Sequence, residues 1–136
     1  IGNLCIYVPE SLPPGFRRDL HFEARIEVYP TVREETGLAI DSRNEWFSTQ
    51  QALEAAGVCQ ALKAGKDMVD NGIRNPDRIS AEVIHILSRR RRIRIIYVAI
   101  VDIDSMAPAR EVVSGKTLIL TAVWLDEVRM LDNILL

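Results

Sequence analysis

The alternation of apolar and polar residues predicts short strands toward both ends of the chain. Between residues 21 and 29, apolar side chains occupy alternate positions, which predicts a half-buried strand. Residues 93–103 form a longer β-branched and apolar run that is typical of a buried strand. Two further strands, at 117–124 and 128–136, are separated only by the turn that contains Asp126. So short a connection predicts an antiparallel hairpin, and Asp is tolerated where φ must be positive.

The middle of the chain has the spacing of amphipathic helices. The segment Ser48-Thr49-Gln50-Gln51 has capping chemistry, so we predict a helix from Ala52 to about Gly65. A second helical pattern extends from Ser80 to about Arg89, after a turn or helix start at Asn75-Pro76-Asp77. The residues expected to face inward are Leu53, Ala56, Cys59 or Gln60, and Leu62 in the first helix, and Ile79, Val83, Ile84 and Leu87 in the second.

Composition and charge narrow the classes of protein. The 136 residues suffice for one domain that buries about two-thirds of its surface. A net charge of −2 gives no overall attraction to nucleic acid or to an anionic membrane, and no apolar run is long enough to predict a membrane span. The first residue is Ile1 rather than Met, which indicates a processed or truncated chain, and residues 1–16 lack a signal-peptide pattern. A cytoplasmic location is therefore expected.

A few residues could carry other chemistry, but each has a plainer interpretation. The basic run Arg89–Arg92 could contact nucleic acid, yet it lacks interleaved aromatic residues, and cations also favour a helix C-terminus. We therefore expect no nucleic-acid partner. Cys5 and Cys59 are unclustered and expected to be reduced, and His21 and His85 stand alone as surface or packing residues. No metal site built from protein side chains is predicted.

The polar stretch from Tyr29 to Asn44 is the strongest candidate for function. It ends in Ser42-Arg43-Asn44, which offers a hydroxyl, a guanidinium and an amide just before a helical pattern. Such a group can hold a phosphate, because Arg forks onto two oxygens and helix-terminal N–H groups add partial positive charge. The same triplet is also typical of a plain helix cap, so the pattern alone leaves both interpretations open.

Two separated blocks of the sequence resemble the pantothenate synthetase (pantoate–β-alanine ligase) family. The first block consists of Pro30-Thr31-Val32-Arg33-Glu34, then Gly37-Leu38-Ala39, then Ser42-Arg43-Asn44. The second block closes the chain, with Ala122-Val123-Trp124-Leu125 followed by Val128-Arg129-Met130-Leu131-Asp132-Asn133-Ile134. The resemblance extends from about Arg17 to Leu136 and implies the C-terminal portion of such a ligase.

The resemblance implies an α+β fold. A C-terminal lid domain would have two or three helices packed on a small antiparallel three-stranded sheet, preceded by a remnant edge strand of a Rossmann-like nucleotidyl-transferase domain. Residues 1–44 would be the remnant of the nucleotide-binding domain, ending in the ATP signature loop, and residues 45–136 the C-terminal α+β domain. A second short helix at residues 66–73 is also implied, and Trp46 and Phe47 are interpreted as core anchors. Without a partner domain the sheet would expose an edge and an apolar face, so we expect a homodimer or reduced stability.

The chemistry that the resemblance implies is an ATP-dependent condensation of pantoate with β-alanine to pantothenate through pantoyl adenylate. ATP and Mg²⁺ would be the cofactors, and the loop would cover the triphosphate. Val32 and Ile40 would contact the adenine and ribose side of the nucleotide. Ser42 and Arg43 would hold phosphate oxygens and stabilise charge on the leaving pyrophosphate.

Asp41 departs from the family pattern, which usually has Ser at this position. A carboxylate beside a polyphosphate repels it unless magnesium or a neighbouring cation lies between them. An ionised Asp also cannot donate the hydrogen bond that Ser would donate. Asp41 is therefore assigned to the nucleotide site. The alternative interpretation is that it only caps the adjacent helix as an acidic residue.

A second interpretation is a catalytically inactive remnant or interaction module of the same fold. The Gly-x-Lys-Asp-x-Gln block and the two-histidine motif of the family do not occur in this sequence. This chain would then lack the pantoate and β-alanine contacts. A natural reading frame about twice as long, with a two-histidine motif upstream, would favour the ligase, and a short frame would favour the remnant.

Overall fold

The computed structural model describes residues 31–136, in which two helices pack on a three-stranded antiparallel sheet. This confirms the α+β architecture. The elements are helix α1 (Thr49–Asp70), helix α2 (Pro76–Ser88) and strands β1 (Ile93–Asp102), β2 (Thr117–Leu125) and β3 (Val128–Leu135), with a short 3-10 helix (Ser42–Trp46) before α1. The predicted strand at 21–29, His21 and Cys5 lie outside the described residues. The division of the chain at residue 44 stays a prediction.

The sheet has the order β1-β2-β3, with both neighbouring pairs antiparallel. Strands β2 and β3 form the predicted hairpin, in which Leu125 pairs with Val128 across a two-residue turn. Asp126 has a φ of 51°, as the turn was expected to require. Strand β1 was expected to be buried, but Ile96 and Tyr97 are both exposed. They lie where the β1–β2 register shifts, and β1 is an edge strand with β2 as its neighbour in the described sheet.

Helix α1 is one continuous helix of 22 residues, so the predicted end at Gly65 and the separate piece at residues 66–73 are wrong. The capping segment was predicted correctly, because Ser48 and Gln51 form a full capping box, but the helix begins at Thr49 rather than at Ala52. Gly65 serves close packing instead of termination. A Cβ placed there would lie 2.7 Å from Ile119 Cδ1 and 2.9 Å from Val83 Cγ2, so only Gly lets the helix approach β2 and α2 this closely. The helix ends at Asn71 and Gly72, which has a φ of 91°.

Three apolar residues that were expected to face the core are exposed. Trp46 is 83% exposed and is not a core anchor, whereas Phe47 packs against the core. Leu53 and Ile84 are also exposed. Leu53 and Ile84 lie at the margin of the buried face of their helices. The helical period alone therefore predicted a buried face that is slightly too wide.

A single hydrophobic core connects the loop, both helices and the sheet. Its buried members are Leu38, Ala55, Val58, Ala61, Leu62, Val69, Ile79, Val83, Leu87, Ile93, Ile100, Val112, Ile119, Val123, Leu125 and Leu136. Cys59 is a buried free thiol and His85 is exposed. In the described part of the chain, no helix is long and apolar enough to cross a membrane.

Two members of the arginine run contact the domain itself. The Arg90 guanidinium lies over Gly57, where a Cβ would come within 2.6 Å of Nε, and it donates to Gln60. Arg92 donates to the Asp126 carboxylate at 2.8 Å. These contacts fasten the helix–strand connection to α1 and to the hairpin turn, which gives part of the run a role within the fold.

Candidate functional site

The loop before α1 folds back on itself as a small hairpin. The backbone N–H of Ile40 donates to the Val32 carbonyl at 3.0 Å, and Arg33 and Ala39 form an isolated antiparallel bridge. Gly37 makes the tip possible because its φ is 88°, in the region that favours glycine. The hairpin brings the two residues predicted to contact the adenine side, Val32 and Ile40, next to each other.

The tip of the hairpin is packed on helix α1. Leu38 is buried in the core. Gly37 is buried too, and a Cβ at this position would lie 3.0 Å from Cys59 Sγ. The loop therefore has one side that is fastened to the domain.

The base of the hairpin is fastened to strand β3 by Arg33. Its two terminal nitrogens lie 2.8 and 2.9 Å from the two carboxylate oxygens of Asp132. The same guanidinium donates to the carbonyls of Gly37 and Asn133, at 3.1 Å each. A fork of this kind fixes orientation as well as distance. Sequence reasoning missed this pair because the partners lie 99 positions apart, although both belong to the blocks that resemble the family.

The other side of the loop is exposed. Val32 and Ile40 are 57% and 61% exposed, and Ser42 and Trp46 are exposed as well. An exposed apolar pair is thus followed within a few positions by an exposed hydroxyl and an exposed aromatic ring. Small-molecule sites combine apolar side chains with a few polar groups in a concave pocket, and this face of the loop supplies both kinds of side chain.

Asp41 caps the 3-10 helix and holds Arg43. Its Oδ1 accepts from the Arg43 backbone N–H and from Arg43 Nε, at 2.8 Å each, and its Oδ2 accepts from Nη2 at 2.6 Å. The Arg43 side chain, and then its backbone N–H, hold the pKa of the Asp41 carboxyl at about 2, and Asp41 in turn raises the pKa of Arg43. The neighbouring cation that a carboxylate here would need is thus Arg43 itself, and the cap interpretation is also correct.

Arg43 has a further acceptor on the sheet, since its Nη1 donates to the Arg129 carbonyl at 2.8 Å. Asn44 is structural, because its amide donates to Ala39 and Glu34 in the hairpin. Of the Ser42-Arg43-Asn44 triplet, then, Ser42 stands exposed, Arg43 is exposed but engaged, and Asn44 braces the loop. An anion that binds Arg43 has to compete with Asp41 for the guanidinium fork.

The carboxylates of this region are not grouped as the ligands of a metal ion would be. Within residues 31–136, no group of three or more His, Cys, Asp or Glu side chains could hold a metal ion. Asp41 directly follows Ile40 of the exposed apolar pair, and both of its carboxylate oxygens accept from Arg43. A magnesium ion would therefore fit here only if it arrived with an anionic ligand that supplied most of its oxygens.

The fold and the loop together define the class of the protein: a small α+β domain whose loop is attached to the sheet and presents an exposed apolar pair a few residues before an arginine. Comparison with known proteins identifies the family to which this domain is similar. A model of the pantoate-beta-alanine ligase family matches residues 15–135. Pantothenate synthetase from Geobacillus sp. (strain WCH70) is 38% identical over 122 residues, which is 90% of this chain and 43% of that protein. The pantothenate synthetase of Thermotoga petrophila is 35% identical over 119 residues, which is 88% of this chain and 42% of that protein.

A solved structure gives the same result. The crystal structure of pantothenate synthetase from Thermus thermophilus superposes with a TM-score of 0.79 at 30% identity, over 87% of this chain and 42% of that one. The chain belongs to the pantoate-beta-alanine ligase family. It spans roughly two-fifths of the length of the relatives that it matches.

Proposed function

We propose that this chain is the ATP-holding C-terminal portion of a pantoate–β-alanine ligase. Its relatives are pantothenate synthetases, and its share of their length contains the loop and the closing hairpin. The observation that most supports the proposal is the placement of Val32 and Ile40 side by side and exposed, a few residues before Arg43. The exposed apolar pair could contact the flat base of a nucleotide, and the guanidinium a few residues later could bind its phosphates.

In the proposed role, Val32 and Ile40 contact the adenine and ribose side, and Ser42 and Arg43 act on the phosphates. The Ser42 hydroxyl donates a hydrogen bond to a phosphate oxygen. Arg43 stabilises the negative charge that accumulates as pyrophosphate leaves, and this kind of electrostatic stabilisation is often the largest single contribution to catalysis. Asp41 remains in the nucleotide site as the group that orients Arg43 and competes with the phosphate.

The remaining partners of the reaction belong to the same proposal. Pantoate and β-alanine are the proposed substrates. ATP with Mg²⁺ would supply the adenylyl group that activates the pantoate carboxylate with release of pyrophosphate, and β-alanine would then displace AMP. Magnesium is expected to come with the nucleotide, because the described residues contain no group of three or more His, Cys, Asp or Glu side chains that could hold it. The cytoplasmic location and a homodimer stay predictions.

A second candidate is a catalytically inactive remnant or interaction module of the same fold. The observation that favours it is the Asp41–Arg43 ion pair, which occupies the guanidinium that a phosphate would need. The exposures of the two side chains, 38% and 47%, weaken this objection. Exposed ion pairs contribute only about 0.2–1 kcal/mol, so a polyphosphate with several charges can displace one.

The enzymatic role is tested in a full-length parent protein that contains this chain, by measuring pyrophosphate release with pantoate and ATP. Replacing Arg43 with Ala removes a phosphate contact and should lower the rate of adenylate formation by about 10²-fold or more. Arg92→Ala, which removes an ion pair at the hairpin turn, is the matched control and should leave the rate unchanged. Unchanged turnover in Arg43→Ala would contradict the assignment of Arg43.

A further inference from the structure

The ion pair between Arg33 and Asp132 differs in burial from the other ion pairs of residues 31–136. Its side chains are 21% and 5% exposed, whereas those of the Arg92–Asp126 pair are 45% and 34% exposed. Exposed pairs open and close readily because water and salt screen them. A fork of two hydrogen bonds that is largely shielded from water remains formed.

The pair also has a special place in the loop. Arg33 lies at the base of the hairpin and donates across it to the Gly37 carbonyl, so one guanidinium holds the hairpin closed and holds it against β3. The loop reaches β3 at a second point, where Arg43 donates to the Arg129 carbonyl. Of these two attachments, the Arg33 attachment is the more buried.

The attachments of the loop to β3 through Arg33 and through Arg43 differ in role if Arg43 binds phosphate. To turn its fork toward an anion, Arg43 has to leave Asp41, and the geometry that links it to Arg129 changes with it. A second attachment then has to hold the loop while Arg43 changes partners. Arg33 does not face this competition, because its acceptors lie on the buried side of the loop.

We propose that Arg33 is a positioning residue, whose fork on Asp132 holds the loop from Thr31 to Arg43 in place on strand β3 while Arg43 exchanges Asp41 for phosphate. The proposal rests on the proposed function for its last step only. Without the Arg33–Asp132 pair, the base of the hairpin, which carries the exposed apolar pair, loses its attachment to β3, and the loop is left to its tip on α1 and to the Asn44 contacts. The fraction of molecules that can bind nucleotide then falls, and the apparent affinity falls by the same factor.

The first experiment measures backbone order without any nucleotide. Amide order parameters are determined by NMR for the wild-type chain and for the variants Arg33→Ala, Arg33→Lys and Asp132→Asn, well below each unfolding temperature. Lys retains the charge but cannot form the fork. In all three variants we expect the order parameters of the amides in the loop from Thr31 to Arg43 to fall from about 0.85 toward 0.6 or lower, while those of the strands stay at wild-type values. Arg92→Ala, which removes an exposed ion pair, is the control and should resemble wild type.

The second experiment measures affinity for Mg–ATP in the same variants. Arg33→Ala and Asp132→Asn should each weaken binding about tenfold, if the competent fraction falls to about a tenth. Their combination should weaken it no further, because both remove the same contact. An unchanged loop order in Arg33→Ala, an equal loss of order in the strands, or an unchanged affinity in a loosened loop would each overturn the proposal. If the wild-type chain binds no Mg–ATP, the proposed function fails for this chain, and the comparison of loop order alone decides the role of Arg33.

Discussion

Arg43 is the residue whose partners decide how the loop can work. In the structure its guanidinium is divided between the Asp41 carboxylate and the Arg129 carbonyl. A family member with Ser in place of Asp41 would leave the same guanidinium with fewer protein acceptors. The carboxylate therefore acts as an internal competitor for phosphate, and it also keeps Arg43 oriented when no phosphate is bound. Both effects are small in free energy, because the Asp41–Arg43 pair is exposed.

Replacing Asp41 with Ser should tighten the binding of Mg–ATP to this chain. The gain should be up to about fivefold, because an exposed ion pair is worth roughly 0.2–1 kcal/mol and about 1.4 kcal/mol corresponds to a factor of ten. Titration calorimetry measures the change. Glu45→Gln, which removes an exposed carboxylate of the same 3-10 helix that has no part in the Asp41–Arg43 pair, is the control for general loss of negative charge. A weaker affinity in Asp41→Ser would show that the carboxylate helps the nucleotide, for example by contacting magnesium.

The Asp41 carboxyl should also titrate abnormally. Its pKa in the folded chain is about 2, below the ordinary 3.8, because Arg43 donates to it from side chain and backbone. A lowered pKa means that the ion pair contributes stability above pH 3.8 and loses that contribution as the pH falls toward 2. The carboxyl carbon shift, followed by NMR, should have its midpoint near the lower value and move up toward 3.8 in Arg43→Ala. Equal midpoints in the two proteins would show that the ion pair does not form in solution.

At the scale of elements, two glycines of helix α1 have different surroundings, so their replacement should affect stability differently. Gly65 faces Ile119 and Val83 in the packed core, whereas Gly57 faces the end of the flexible Arg90 side chain. Glycine in the interior of a helix normally costs about 1 kcal/mol relative to alanine. Only at Gly65 is that cost offset by the closer approach of the helix to the sheet.

The substitution Gly65→Ala should therefore destabilise the chain, and Gly57→Ala should not. Overpacking a core costs about 1–3 kcal/mol, which exceeds the gain in helix propensity at Gly65. At Gly57 the Arg90 side chain can move aside, so the expected change lies between zero and a gain of about 1 kcal/mol. Urea denaturation measures both free energies of unfolding. Equal effects of the two substitutions would contradict the packing argument for Gly65.

At the scale of the whole molecule, one core includes residues of the loop, both helices and strands β1 and β2, and partly buried residues of β3 pack against it. Elements that share a core lose it together, so the described part of the chain should unfold in one transition. In a Trp46→Phe background, Trp124 on β2 is the remaining tryptophan and reports on the sheet, while far-UV circular dichroism reports mainly on the helices. The two thermal transitions should coincide. Separate midpoints would show that the helices and the sheet are independently stable.

The sequence predicted the elements better than their packing. The capping box at Ser48 and the turn at Asp126 were predicted because local hydrogen bonding and backbone conformation decide them. Gly65 was misread as a helix end, because a glycine that breaks a helix and a glycine that permits close packing look alike in sequence. Trp46 was interpreted as a core anchor from the family resemblance, and it is exposed instead. Arg33 had no assigned partner, since a contact across 99 positions depends on the completed fold.

The most direct test of the proposed function is calorimetric titration of the purified chain with ATP in the presence of magnesium, beside the variants Arg43→Ala and Arg92→Ala. We expect measurable binding by the wild-type chain, similar binding by Arg92→Ala, and loss of binding in Arg43→Ala. That pattern would show that the loop holds nucleotide through Arg43. No heat of binding in the wild-type chain, or equal affinity in Arg43→Ala, would contradict the assignment of this loop as a nucleotide site in the chain.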